Sequence, residues 1–341
     1  MSLRITLRQL EYFVAAGEEG SIICAAERIN ISPPSISMAV SSLEREFGVQ
    51  LFVRHHAQGL SLTHAGRTLL EQSKRVLGQT EHLYSTAFDL SKEVRGRLSV
   101  GCLITLAPMI LPELIHTFMG VHPMTDIHSV EGDQEQLLHA LQQAELDLLI
   151  TYDLQLQPQM RFRPLVSLPP YVLLGENHRL ARRPVLTLEE LEHEDFVLLD
   201  LPISSKYFMS LFRAAQIEPK ILYRSTSPEV VRAMVANDQG YSLANAVPRS
   251  DLALDGRRLV RLPLAGDHQP MTIGVASLAE VHKSKLFSAF ESHCCAMINA
   301  DYIPGMESPR RDFDVPVAVA VAVAPLAQTP ASELSNRRAQ A

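Results

Sequence analysis

The sequence predicts an all-α N-terminal domain with a helix-turn-helix and a hairpin wing, then one long helix, then a C-terminal α/β part. Three observations carry this reading. Apolar residues recur at helical spacing through roughly the first fifty residues, interrupted by cap and turn signals. An unbroken apolar stripe then runs for about thirty residues. From Arg97 onward, short apolar runs alternate with amphipathic ones, the texture of β-α units.

Leu7, Leu10, Phe13, Val14 and Gly17 place a first helix. Ser21 caps a second, from Ile22 to Ile29, with Ile22, Ala25, Ala26 and Ile29 on its inner face. Asn30-Ile31 is a tight turn. Ser32 as N-cap and Pro33 at the first helical position then start a third helix, which carries Ile36, Val40, Leu43 and Phe47 and stops at Gly48. Two helices joined by a few residues form the helix-turn-helix pattern. Leu51-Phe52-Val53 and Leu60-Ser61-Leu62 are short strands around His55-His56-Ala57-Gln58-Gly59, a wing. Thr63 caps the long helix, whose stripe runs Ala65, Leu69, Leu70, Ser73, Val76, Leu77, Thr80, Leu83, Tyr84, Ala87 and Leu90. A helix of thirty residues is about 45 Å long, and a stripe of that length calls for a partner helix. Leu69, Leu70, Val76, Leu77, Leu83 and Leu90 are therefore expected to form a dimer seam, with Lys74 and Arg75 facing solvent.

Strands are expected at Leu98 to Cys102, Ile127 to Glu131, Leu146 to Thr151, Tyr171 to Leu174, Phe196 to Leu199, Ile221 to Tyr223 and Tyr241 to Leu243, in mostly parallel sheets. Helices fall between them. Pro164 to Pro170 and Pro263 to Pro270 read as crossovers between two subdomains, and Met271 to Ala276 as the strand that returns to the first. The Val/Ala-rich run bounded by Pro316 and Pro325 reads as a disordered tail.

The 341 residues are 46% hydrophobic and 20% charged, values of a globular chain. Ten basic and ten acidic residues balance in 1–95, and the remaining 21 basic and 28 acidic residues carry the net charge of −7. That excludes coating of nucleic acid by bulk charge, but not a small DNA-reading module. Four cysteines without a C-x-x-C pair indicate neither a disulfide scaffold nor a zinc knuckle. No signal-peptide pattern and no run of eighteen apolar residues is present, so a cytoplasmic setting without a membrane contact is expected. No G-x-S-x-G, H-E-x-x-H, P-loop or G-x-G-x-x-G occurs, so neither catalysis nor a cofactor is expected. His293-Cys294-Cys295 sits on one helix with adjacent residues facing different sides, which favours structural cysteines over a metal site.

The motifs LRQL-x-YFV, AAERI-x-IS-x-PSIS, SLE-x-E-x-GV-x-LF and LT-x-AG make residues 7–77 resemble the N-terminal region of LysR-type transcriptional regulators. EGDQEQLLHAL, ELDLLI, LLDLPISSKYF and GYSLANAVP are similar, more loosely, to that family's effector domain. The resemblance implies a winged helix-turn-helix DNA-binding domain at 1–62 and a dimerising linker helix at 63–94. It implies a two-lobed, periplasmic-binding-protein-like effector domain at 95–300, with lobe I at 95–165 and 269–300 and lobe II at 166–268, before a tail at 301–341. Double-stranded DNA and a small-molecule co-inducer are the implied partners, the homodimer and homotetramer the implied assembly, and RNA polymerase is left open as a further contact.

The DNA-facing candidates are Ser32, Pro33, Pro34, Ser35, Ser37, Met38 and Ser41 on the third helix, with Arg54, His55 and His56 in the wing. Short hydroxyls pair with several base edges, and Met and Pro methylenes suit a thymine methyl. The plain alternative is a solvated helix face and turn. The family often has Gln at position 33 and a polar residue at 38, where this chain has Pro33 and Met38.

The effector candidates come from loops at strand C-termini, where open α/β sheets bind ligands. They are Thr105, Tyr152, Asp153, Pro202, Ser204, Ser205, Lys206, Thr226 and Asn245. Helix starts at Thr105 and Ser204, with Lys206 beside the second, point to a carboxylate. Each residue alone reads equally as a helix cap. A solute-binding or enzymatic α/β domain carrying a structural helix-turn-helix is the alternative from a different class.

Overall fold

The computed structural model describes residues 4–55, 59–89, 94–280 and 283–308. The first helix, α1 (Leu7–Glu19), opens with a capping box: the Thr6 hydroxyl accepts from the Gln9 N–H, and the Gln9 side chain accepts from Thr6 N–H. It buries Leu10, Phe13, Val14, Ala15 and Ala16 and ends at Gly20. Helix α2 (Ile22–Arg28) starts at Ser21, whose hydroxyl accepts from the Cys24 N–H at 3.4 Å. Asn30 takes the left-handed conformation (φ 53°) that turns the chain into α3 (Pro33–Phe47). Ser32 occupies the N-cap, but its hydroxyl pairs with that of Ser35 at 2.8 Å rather than with the helix backbone.

The wing is an antiparallel pair, β1 (Phe52–His55) and β2 (Gly59–Leu62). The Leu60 N–H donates to the Gly20 carbonyl at 2.7 Å, fastening the wing to the α1–α2 turn. Gly59 sits at φ 90°, and a Cβ there would stand 2.6 Å from that same carbonyl, so only glycine fits. Phe13, Ile36, Leu43 and Leu51 are fully buried beneath these elements, with Phe13 and Phe52 packed edge to face at 5.6 Å.

The long helix α4 (His64–Asp89) begins as expected: the Thr63 hydroxyl accepts from the Gly66 N–H at 2.9 Å. Its stripe divides in a way that corrects the expected seam. Leu69, Leu70 and Leu77 pack against the core of the N-terminal domain, Leu70 lying over Gly17. Val76 and Leu83 stay outward at 42% and 71% exposure, and Leu90 lies outside the described residues. Periodicity shows that a face is apolar but not whose core it covers. Lys74 is not merely solvent-facing either: its Nζ lies 3.0 Å from Glu18 and 3.7 Å from Glu145.

The C-terminal part forms two lobes. Lobe I contains β3 (Gly96–Leu103), α5 (Ala107–Val121), β4 (Thr125–Gly132), α6 (Gln134–Gln142), β5 (Leu148–Tyr152) and β6 (Met160–Leu168). Lobe II follows with β7 (Tyr171–Gly175), β8 (Asp195–Leu199), α7 (Ser204–Ala214), β9 (Lys220–Ser225), α8 (Pro228–Ala236), β10 (Ser242–Ala244) and β11 (Leu259–Pro263). The chain then returns to lobe I through β12 (Met271–Leu278) and α9 (Lys285–Met297).

The lobe I sheet is ordered β4-β3-β5-β12-β6. Strand β3 is parallel to β4 and β5, whereas β12 is antiparallel to β5 and β6. In lobe II, β10-β7-β11 is antiparallel, and the parallel pair β8-β9 joins it through Val197 and Tyr241. The sheets are thus mixed rather than mostly parallel. Parallel pairing arises where a helix returns the chain to the same edge; strands reached by a crossover from the other lobe enter in the opposite direction.

Strand β6 escaped the sequence reading because Pro164 interrupts its pattern. It is an edge strand, and the register slips at Ile273/Gly274, opposite Val166 and Pro164, so the missing N–H is tolerated. The first crossover, Pro169-Pro170, falls at the end of the expected Pro164–Pro170 stretch, so lobe I runs to the end of β6 at Leu168 rather than to about residue 165. The expected tail boundary also moves. Residues 301–308 strap the two lobes together: the Tyr302 hydroxyl donates to Glu113 on α5, and the Arg249 N–H donates to Gly305 and that of Glu307 to Val247. Ile303 and Met306 are buried there, which low-complexity composition further along the chain could not reveal. The run bounded by Pro316 and Pro325 lies outside the described residues.

Two outcomes follow from this packing. Ile303→Ala should lower the unfolding free energy by roughly 2–4 kcal/mol in urea titration, the loss for a buried aliphatic side chain; a residue of a loose tail would show none. Leu70→Asp should melt the N-terminal domain by circular dichroism, at a cost on the order of 2–4 kcal/mol. Leu83→Asp should leave the melt unchanged and weaken self-association in sedimentation. An intact melt for Leu70→Asp would reverse the assignment.

Candidate functional site

Helix α3 is amphipathic in the strict sense. Ile36, Ala39, Val40 and Leu43 face the core, and on the opposite side Ser32, Pro33, Pro34, Met38 and Ser41 are exposed, with Ser35 and Ser37 half-exposed. Met38 is 69% exposed, a large apolar side chain held in water on a rigid helix. Arg45, one turn beyond Ser41, is exposed on the same helix; its i+4 spacing was the signal the sequence reading passed over. Gln9 fixes the helix to α1 through Ser42 at 3.2 Å, and Glu44 accepts from the Leu51 N–H at 2.8 Å, so this face has a rigid support.

In the wing, Arg54 is exposed. The His55 ring nitrogen Nε2 is 2.8 Å from the Ser61 hydroxyl on the opposite strand, which holds the imidazole on the hairpin. His56 lies outside the described residues.

A cavity of about 430 Å³ lies between the lobes. Lobe I contributes Ile104, Thr105, Met109, Tyr152 and Met271, and lobe II contributes Leu173, Phe208, Leu243 and Asn245 among others. Of the nine expected effector residues, four line it: Thr105, Tyr152, Ser204 and Asn245. The other five lie elsewhere, for identifiable reasons. Asp153 is exposed, and its carboxylate accepts from the Thr272 N–H at 2.9 Å, joining β5 to β12. Pro202 and Lys206 are exposed, so the cation expected beside a carboxylate is absent from the wall. Ser205 is buried and lies off the wall. Thr226 is exposed; its neighbour Ser227, the N-cap of α8, lines the cavity instead. A loop names a neighbourhood, but helix phase decides which of its residues points inward.

Tyr152 and Asn245 are uncharged polar groups of the wall, and Tyr207 lies behind Asn245. Burial pushes the Tyr152 phenol well up from its usual value, opposed in part by a hydrogen bond with Thr105, so it keeps its proton. Burial likewise raises Tyr207, whose hydroxyl donates to the Gln269 carbonyl at 2.7 Å. The Asn245 Nδ2 donates to the Leu168 carbonyl at 2.8 Å and meets the Tyr207 hydroxyl at 3.4 Å. Arg232 and Glu229, both missed in the sequence, complete the wall.

Cys102 and Cys294 are buried, Cys295 is half-buried and Cys24 is exposed. Burial raises the thiols of Cys102 and Cys294, which keeps them protonated. His293 bonds to the Thr117 hydroxyl at 2.9 Å, and among the described residues no cluster could hold a metal ion. No described helix is long and apolar enough to cross a membrane.

Residues 7–67 match the family model of bacterial regulatory helix-turn-helix proteins of the lysR family, and residues 91–296 match the LysR substrate binding domain. The HTH-type transcriptional regulator CfxR of Cupriavidus necator is 29% identical over 240 residues, 70% of this chain and 75% of its own length. The transcriptional activator protein LysR of Escherichia coli is 27% identical over 290 residues, 85% of this chain and 92% of its own. The crystal structure of HinK, a LysR family transcriptional regulator from Pseudomonas aeruginosa, superposes with a TM-score of 0.59 at 34% identity, covering 86% of this chain and 99% of that one. With the helix-turn-helix and the two-lobed domain both matched, the chain belongs to the LysR family of transcriptional regulators.

Proposed function

We propose that this regulator reads a specific DNA site through α3 and its wing, and that a small effector in the interlobe cavity changes how it does so. The observation that carries the reading is the cavity, whose wall is built jointly by the two lobes. A ligand there contacts both lobes and so favours one interlobe arrangement over another. A differential affinity of about a hundredfold between two arrangements, or roughly 2.7 kcal/mol, resets a balance of about ten to one.

Assembly into a homodimer and a homotetramer of two dimers would convert that change into a different spacing of the DNA-binding domains, with RNA polymerase as the further partner. The exposed Val76 and Leu83 on α4 support self-association. The carboxylate expected from Thr105 and Ser204 loses support at this cavity, because Lys206 lies off its wall and Thr105 precedes the N-cap of α5 at Leu106. The relatives are transcriptional regulators, which weighs against the solute-binding or enzymatic alternative.

A footprint on DNA upstream of the chain's own gene tests the first half. Met38→Glu should reduce specific binding at least about tenfold, since a carboxylate replaces an apolar contact at the base edges, with the melt unchanged because the site is exposed. Arg54→Ala should weaken binding to all sequences and lower the salt slope by about one. Normal affinity in both variants would move the reading face elsewhere.

For the second half, Thr105→Val removes a hydroxyl at constant volume. An effector found by thermal-shift screening of small acids, alcohols and phenols should bind about tenfold more weakly. Operator affinity without effector should not change. Equal effector affinity in calorimetry would remove Thr105 from the site.

A further inference from the structure

The cavity wall is mainly apolar, with Ile104, Met109, Leu173, Phe208, Leu243 and Met271 on it. Among the described lining residues, only Arg232 and Glu229 are charged. Arg232 Nε lies 3.8 Å from the Glu229 carboxylate, and its Nη2 donates to the carbonyls of Ser250 at 3.1 Å and Leu252 at 2.9 Å. The guanidinium is thus fastened to the wall through Nη2 and ion-paired with Glu229.

Asn245 makes the opposite demand. It is 3% exposed, and its amide nitrogen is committed to Leu168 and Tyr207. Its Oδ1 has no hydrogen-bond partner among the described residues. A buried acceptor without a donor is unfavourable, and a ligand that supplies the donor removes that cost. A carboxylate has only acceptors at neutral pH. It would bring a second negative oxygen to Oδ1 and lose its hydration against an apolar wall.

We propose that the effector is an uncharged, mainly apolar molecule whose hydroxyl or N–H donates to Asn245 Oδ1. The proposal rests on the interlobe cavity being the effector site. Asn245 also bonds Leu168, where the chain leaves lobe I, and Tyr207, whose hydroxyl bonds Gln269, where it returns. A donor arriving at Oδ1 therefore acts on the residue that ties the two crossovers.

The test uses three probes of one skeleton on the full chain, by calorimetry at neutral pH: 4-propylphenol, 4-propylanisole and 4-propylbenzoate. The phenol should bind about tenfold or more tightly than the anisole, in which a methyl replaces the donor hydrogen, and than the benzoate, which is charged. In Asn245→Leu the advantage of phenol over anisole should fall to about twofold or less. Should that variant not fold, the wild-type comparison decides alone. Equal binding of phenol and anisole, tighter binding of benzoate, or no binding of the phenol at millimolar concentration overturns the ligand class. Operator affinity is read separately: a bound phenol that leaves the footprint unchanged keeps the ligand class and overturns the regulatory reading of the cavity.

Discussion

The chain passes between the two lobes at Pro169-Pro170 and again between β11 and β12, and a single polar cluster ties these crossings together. Asn245 donates to Leu168 at the first, and Tyr207 donates to Gln269 at the second, with Asn245 and Tyr207 in contact. Asn245, Tyr207 and Leu168 are buried, so their hydrogen bonds lose more by separating than an exposed pair would. The cavity depends on them, because its wall is drawn from both lobes and keeps its shape only while their relative placement is held.

The junction between the N-terminal domain and lobe I is of a different kind. Lys74 on α4 stands between Glu18 of α1 and Glu145 of lobe I, while Arg28 pairs with Glu18 and Glu19. Burial pulls the Glu18 carboxyl upward, but hydrogen bonds from Arg28 and Lys74 outweigh it and hold it below its ordinary value. The cluster is half-exposed, so salt screens it and its net contribution is small. The effector domain thus holds its lobes through a buried polar cluster, whereas its described contact with the N-terminal domain includes a weak, half-exposed ionic one.

Much of the N-terminal domain was legible residue by residue. The Ser21 cap, the Asn30 turn, the Ser32-Pro33 start and the Gly48 stop are local backbone chemistry, and each appears where the sequence puts it. The exposed face of α3 was legible for the same reason: helical phase fixes which side chains oppose Ile36, Val40 and Leu43. What escaped was β6, hidden by Pro164, the short strand β11, and the strap at 301–308, whose short irregular backbone has no period to detect. In the cavity, Thr105, Tyr152, Ser204 and Asn245 were found because they stand at or just beyond strand ends or at a helix start, whereas Arg232, Glu229, Met109 and Phe208 lie within helices and carry no such mark.

By itself the sequence determined the kinds of elements, their order, the family and the side of α3 that meets solvent, because these depend on residues a few positions apart. The tertiary structure alone decided the partners of those elements. It gave Leu70 and Leu77 to the core of their own domain rather than to a second helix, reversed β12 against β5, and paired Arg232 with Glu229 and two carbonyls. Each of these joins residues far apart in the chain or turns on which atoms of neighbouring groups meet. An apolar stripe or a charge in the sequence records a requirement for burial or compensation, and only packing supplies the group that meets it.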